Sequence, residues 1–288
     1  PGEDKWALRL RKVLPAKLAY LLTRWKNVLM GIFMFNLARK KPEGFKQRLL
    51  EMVQDEMGAD VDMTHYTPSY NPWDQRLCLV PDSDLFDSIK SGRASIVTDQ
   101  IETFTKDGIK LKSGDTLDAD IIVTATGLKM LTGGNATISV DGQPVNFGEK
   151  INYKGVMFSG IPNFGMTMGY TNASWTLKAD LTSEYVCRLI NYMDKNGTPI
   201  ATPTLPAGEV MDTEPMLDFS SGYVQRAISY LPKQGDRKPW RLNQNFPKDI
   251  INLRHKAVDD GVMVFSKPGA VATRLPEQQH DVEAIAAE

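Results

Sequence analysis

The residues best equipped for chemistry sit in one short stretch, "YNPWDQRLC", Tyr70 to Cys78. It places Asp74, Gln75 and Arg76 in succession behind a Pro72-Trp73 pair, with no helix or strand period to account for them. Pro72 holds Asn71 extended and stiffens the loop, and Trp73 can anchor it. Two readings of Arg76 stand side by side. It can pair with Asp74 as a surface ion pair, or it can be held rigidly by its neighbours to stabilise negative charge as that charge develops.

Two further segments have the character of a ligand edge. "DIIVTATG" (120–127) reads as a nearly continuous apolar strand ending in Thr126-Gly127, the kind buried on both faces of a sheet. In open α/β sheets ligands bind beyond the carboxyl ends of strands, and a glycine there admits a phosphate or a ring close to the backbone. The same glycine serves equally as a plain strand end. "GYTNASWTLKAD" (169–180) then starts a helix that Thr171 or Asn172 can cap. Free N–H groups at such a start suit an electron-rich ligand atom, although a simple cap explains them too. Trp175, in the first turn, reads as a structural aromatic.

Several familiar site motifs do not occur in these residues. The sequence has no GxGxxG, no Walker loop, no G-x-S-x-G elbow and no H-E-x-x-H helix. Its two cysteines, Cys78 and Cys187, cannot form a disulfide framework, and the three histidines show no metal-ligand spacing with them. No metal is expected, and a cytoplasmic setting is the default.

The elements that must position these residues change character along the chain. Leu10, Val13, Leu14, Leu18, Leu21, Leu22, Trp25, Val28 and Leu29 recur at helical spacing and predict one buried face. Pro15 and Pro42 each start a helix, and Gly58 ends the last of them. "SDLFDSIKSG" predicts a helix capped by Ser83 and closed by Gly92. From residue 94 the pattern turns to short strands, with hairpins at Asp107-Gly108, at "KSGD" and at Asp141-Gly142. Two short strands are expected around Gly160-Ile161-Pro162-Asn163. Leu177, Leu181, Tyr185, Leu189 and Met193 mark a long helix ending at Gly197. A further helix is expected near "GYVQRAISYL", and the tail after Pro268 is expected to fray. The fold class is therefore α/β.

The 288 residues carry a formal net charge of -1, which argues against general nucleic-acid binding. Residues 1–50 nevertheless hold 12 lysines and arginines against 3 aspartates and glutamates. A solvated basic surface accounts for this. A weak membrane-surface role through residues 16–41 is the sharper alternative, since Arg24 and Lys26 flank an apolar run. That run, Asn27 to Ala38, is too short to span a bilayer.

Read together, "LAYLLTRWKNV", "PSYNPWDQRLC" with "VPDSDLF", "LDADIIVTATGL" and "GYTNASWTLKADL" closely resemble the FAD-containing monooxygenases of the Baeyer–Villiger type, in particular their ethionamide-activating branch. The resemblance implies the C-terminal portion of a flavoprotein with two Rossmann-like dinucleotide-binding domains, whose glycine loops lie upstream of the region covered here. Residues 1–126 would complete an NADP-binding domain, with a helical insertion at 1–58. Residues 127–200 would complete the FAD-binding domain, and 201–288 would form a C-terminal extension.

It further implies FAD and NADPH as cofactors, a C4a-peroxyflavin, and oxygen transfer from O₂ to a ketone, sulfide or thioamide. Arg76 matches the family's catalytic arginine. Asp74, Gln75, Thr126, Gly127, Tyr170, Asn172 and Trp175 match cofactor-binding segments, and Trp240 and Asn243 fall in a region that contacts cofactor in relatives. Gln75 stands where relatives carry a lysine that grips the cofactor phosphate. Leu128-Lys129 replaces an aromatic-acid pair. The alternative is a catalytically incomplete remnant with an interaction role or none.

Overall fold

Proline and cap chemistry divide the N-terminal region into three helices, α1 (Lys5–Val13), α2 (Ala16–Lys40) and α3 (Pro42–Met57). Asp4 caps α1, its carboxylate accepting from the amides of Trp6 at 3.0 Å and Ala7 at 3.2 Å, as a helix N-cap should. Lys26 on α2 bonds the same carboxylate at 2.7 Å, and that bond holds the Asp4 pKa down at about 2. Pro15 occupies the N-cap position of α2, Pro42 the first position of α3, and Gly58 ends α3 at φ 103°. These arrangements come from a computed structural model, which describes residues 3–78 and 80–269.

Contact between the chain segments defines two compact units. The first runs up to Asn135 and takes in Tyr170–Ser174 and Leu217–Ser229; the second holds Ala136–Gly169, Trp175–Met216 and the segment from Tyr230 onward. In the first unit, α4 (Asp84–Lys90) precedes a three-stranded antiparallel meander of β1 (Ile101–Phe104), β2 (Gly108–Leu111) and β3 (Thr116–Asp118). The expected turns at Asp107-Gly108 and "KSGD" join its strands. A short helix, Gly222–Ala227, is the one anticipated near "GYVQRAISYL".

In the second unit, β4 (Ser139–Val140) and β5 (Gln143–Pro144) form the hairpin turning at Asp141-Gly142. Both turn residues have positive φ, 52° and 81°, which matches the twist of the flanking strands. β6 (Asn152–Tyr153) pairs β7 (Met157–Phe158). The long helix α5 (Trp175–Asn196) follows, buried along Lys178, Leu181, Thr182, Tyr185 and Leu189. β8 (Ile200–Pro203) pairs β11 (Met263–Ser266), and β9 (Thr213–Pro215) pairs β10 (Lys233–Gly235), both antiparallel. Phe147, Phe158 and Ile161 centre an apolar cluster, with Phe147 and Phe158 edge to face at 5.5 Å, a favoured geometry for aromatic pairs.

Several expectations are corrected. Among the described residues the paired strands are all antiparallel, and "DIIVTATG" forms no strand. The last ladder bond before it runs from Ala119 N to Asp107 O at 3.0 Å. Beyond that point no described strand offers backbone partners, so Ile121 and Val123 each stay 83 % exposed.

The α1–α2 apolar face is also largely open: Val13, Leu18, Leu21, Leu22 and Leu29 are exposed, and only Ala19 and Ala38 of α2 are buried. Two small residues let neighbouring helices approach closely, and three helices cannot cover the rest. Ser83 precedes α4 as expected, yet its φ of 60° leaves its side chain without a capping bond. Of the two strands expected around Gly160–Asn163 only β7 forms; Asn163 instead spends its amide group on Ala201 and Pro199. The tail beyond Gly269 lies outside the described residues.

Candidate functional site

Asp74 is the organiser of the "YNPWDQRLC" loop. One of its carboxylate oxygens accepts from Arg39 of α2 at 3.0 Å and the other from the Asn71 amide at 3.1 Å. Its backbone carbonyl accepts both the amide and the hydroxyl of Ser220, at 3.0 and 3.1 Å. A cavity of about 230 Å³ opens beside it, lined by Ala38, Arg39, Pro42, Asn71, Pro72 and Asp74. Trp73 takes a left-handed φ of 67°, uncommon for a bulky residue. Its ring packs edge-on against Phe35 at 5.5 Å and tilted against Phe45 at 5.9 Å. A backbone bridge between Pro72 and Gln75 closes the turn.

Arg76 emerges from this turn exposed, and among the described residues it makes no ion pair. Asp74 is therefore not its partner; Arg39 has taken that place. The loop is braced from both α2 and the Ser220 segment while the guanidinium stays free.

Thr126 and Gly127 are exposed, and Gly127 has φ 111°. A side chain built there would meet nothing closer than 3.9 Å, so the backbone conformation and not the space calls for glycine. Tyr170 is buried and Asn172 half-buried. Helix α5 begins at Trp175. The Trp175 indole covers Gly169 so closely that any side chain at 169 would collide with it, while half of the indole remains exposed. Asp74, Gln75, Arg76, Thr126, Gly127, Tyr170 and Asn172 all fall in the first unit; Trp175 falls in the second.

The second unit holds a charged network that the sequence reading passed over. Lys178 of α5 is 1 % exposed and its Nζ lies 2.7 Å from Asp249, itself 2 % exposed. The Lys154 carbonyl accepts from the same Nζ at 3.0 Å, and Asn243 donates to the other Asp249 oxygen at 3.0 Å. Nearby, Tyr153 Oη donates to Asp260 at 2.7 Å and lies 3.2 Å from Tyr185 Oη. Burial pushes the Tyr153 hydroxyl far above its usual range and Tyr185 up to about 12, so both stay protonated as donors. The missed signal was Lys178 itself, a lysine on the same helical face as Leu181, Tyr185 and Leu189. Trp240 is buried edge-on to Tyr153 at 5.7 Å and so belongs to this core.

Comparison with known proteins now supplies the class: the relatives of this chain are FAD-containing and FAD-binding monooxygenases. It is 48 % identical over 268 residues, 93 % of its length and 55 % of the relative's, to FAD-containing monooxygenase EthA of Mycobacterium tuberculosis strain H37Rv. To EthA of Mycolicibacterium smegmatis it is 47 % identical over 274 residues, covering 95 % of this chain and 56 % of that one. It is 48 % identical over 259 residues to "Probable FAD-binding monooxygenase AlmA" of Acinetobacter baylyi, 90 % and 52 % of the two lengths. The resemblance carried by the four quoted segments therefore holds across nearly the whole chain. The chain spans about half the length of the curated relatives it matches. No family model matches it. Among the described residues no group of side chains could hold a metal ion, and no helix is long and apolar enough to cross a membrane.

Proposed function

We propose that this chain is part of an FAD-dependent monooxygenase in which Arg76 stabilises developing negative charge. The observation that carries the reading is the free, exposed guanidinium of Arg76 on a loop braced by Asp74, in a chain 48 % identical to FAD-containing monooxygenases. Each unit, taken by itself, offers groups that suit a flavin. The first has the exposed Arg76 guanidinium and exposed backbone at Thr126-Gly127, where Gly127 takes a conformation only glycine adopts easily. The second has the half-exposed indole of Trp175. FAD, when bound, would supply the redox chemistry and the activation of O₂.

The chain's own residues have narrower tasks. Arg76 would present a fixed positive charge to an oxyanion in a site shielded from water, where such stabilisation is worth most. Asp74, by holding Arg39, Asn71 and Ser220, would keep Arg76 from collapsing onto a carboxylate of its own. Thr126 and Gly127 would let the cofactor approach the backbone, and Gln75, Tyr170, Asn172 and Trp175 would orient it. The electron donor in this reading is NADPH, and the oxygen acceptor is a ketone, as in Baeyer–Villiger chemistry, or a sulfide or thioamide. The domain reading extends it: 1–126 toward the NADP side, 127–200 toward the FAD side, both of Rossmann-like architecture.

The test uses the complete enzyme with its flavin. Arg76→Ala is expected to retain flavin, read from its absorption bands, and to lose transfer of ¹⁸O from labelled O₂ to a ketone or sulfide. Undiminished label in the product would remove Arg76 from the mechanism.

A further inference from the structure

The cavity beside the buried charge network carries a site of its own. It encloses about 170 Å³, and its walls include Lys154, Lys238, Arg241 and Lys256 against two carboxylates, Asp249 and Asp260. Both acids are already engaged, Asp249 by Lys178 and Asp260 by Lys154, each at 2.7 Å. Arg241 is engaged by Glu214 at 2.9 Å. Lys238 and Lys256 have no carboxylate partner among the described residues, and the Lys256 charge bears on Lys154. Asn243 and Asn252 add amide groups to the wall. A small cavity with surplus positive charge and amide donors is matched to an anion.

Lys154 is the second, independent sign. Its side chain is 8 % exposed, and its Nζ faces one carboxylate, Asp260 at 2.7 Å, with the Tyr153 and Tyr185 rings 4.9 and 5.3 Å away. An ammonium carries three donors, so one carboxylate contact leaves it able to meet further acceptors at this buried position. Its backbone is equally unusual. Lys154 and Gly155 are the central residues of the turn closed by Val156 N to Tyr153 O at 2.9 Å, with φ of 54° and 72°. Asn, Asp or Gly normally fills the first of these positions, because other side chains are strained in left-handed conformations. A lysine kept there, pointing inward to line a cavity, indicates a task for its ammonium.

We infer that this cavity binds a phosphate-type oxyanion, held by Lys154, Lys238 and Lys256 with Asn243 and Asn252. Two lysines without a carboxylate partner among the described residues, and a third with donors to spare beyond Asp260, match a doubly charged, many-acceptor group better than a single carboxylate. Apart from Asn243, which the resemblance places near cofactor, the site uses none of the residues proposed to meet the flavin.

Calorimetric titration of the full chain at low ionic strength tests this, with inorganic phosphate in one arm and glycerol 3-phosphate in the other. One saturable site per chain is expected. Lys238→Gln with Lys256→Gln should weaken it at least tenfold; both side chains are exposed, so the variant keeps its fold. Arg48→Gln, an exposed cation of the other unit, should leave it unchanged. Tighter binding of the ester assigns the site to a phosphorylated metabolite, and equal or tighter binding of inorganic phosphate assigns it to the free ion. Absence of saturable heat with either ligand, or equal affinity in the double variant, overturns the inference.

Discussion

Lys178 Nζ sits 2.7 Å from Asp249 Oδ2 with both side chains almost wholly out of solvent, so α5 is pinned to the segment Phe246–Asp249 by a buried ion pair. Desolvating two charges offsets much of their attraction, yet removing one strands the other. Lys178→Met should therefore cost about 3–5 kcal/mol. Lys178→Met with Asp249→Leu should cost clearly less than the first change alone. Urea unfolding of both variants and the parent measures this; additive losses would mean that the pair has no special coupling.

Gly155 lies against that pair. A methyl group at 155 would stand 2.9 Å from both Cε and Nζ of Lys178, at a φ of 72°. Gly155→Ala should lose more than about 2 kcal/mol, from backbone strain and the displaced ammonium together. Gly160 has a similar φ of 68° but meets only a lysine tip at 4.0 Å. Gly160→Ala isolates the conformational part, on the order of 1 kcal/mol. Equal losses at the two sites in thermal unfolding would show that the close approach is unimportant.

Acid should act through Asp260. Burial opposes its ionisation, but the hydrogen bond and charge of Lys154 and the bond from Tyr153 outweigh it and hold the carboxyl below its ordinary 3.8. A depressed folded pKa means that the stabilisation is present above the ordinary value and is lost as pH falls through the lower folded one. Lys256 and Arg188 add positive charge around Lys154, so protonating Asp260 leaves those cations facing one another. Urea midpoints of the parent protein should drop over this acid range, and Asp260→Asn should flatten that part of the curve. An unchanged slope in the variant would place the acid sensitivity elsewhere.

Local chemistry made much of this fold readable. Pro15, Pro42 and Gly58 bracket helices because their backbone constraints act within a few residues, and Asp141-Gly142 sets its hairpin for the same reason. Apolar periodicity was less informative where no partner covers the face: Leu18, Leu21 and Leu22 repeat correctly and still lie exposed. Arg76 was legible as a candidate, but its freedom was not. That depends on Arg39, far ahead of Asp74 in the chain, taking the carboxylate. The Lys154 cavity was out of reach because its walls come from a turn, a helix and a loop widely separated in sequence, from Lys154 to Asp260.

The segment "DIIVTATG" gives a direct measure of this limit. Ile121 and Val123 are β-branched and apolar, yet each is 83 % exposed and neither is in a strand. Replacing both with Thr removes apolar surface without opening a cavity. The stability of the chain should change by less than about 0.5 kcal/mol, and binding of a fluorescent apolar dye should fall. A loss of several kcal/mol would reveal packing around these residues.

Arg76 makes the last contrast, between stability and chemistry. An exposed guanidinium that makes no ion pair among the described residues contributes little to folding, so Arg76→Ala should unfold at the same urea concentration as the parent. If it stabilises a developing oxyanion in the complete enzyme, the same change should lower turnover by about 10²–10³. Arg76→Lys separates charge from shape. A lysine keeps the charge but lacks the planar fork that binds two oxygens at once, so partial recovery of turnover is expected, with flavin absorbance unaltered. Full recovery would mean that charge alone suffices. A destabilised Arg76→Ala protein would instead make the residue part of the loop's structure, and its effect on turnover would no longer speak for catalysis.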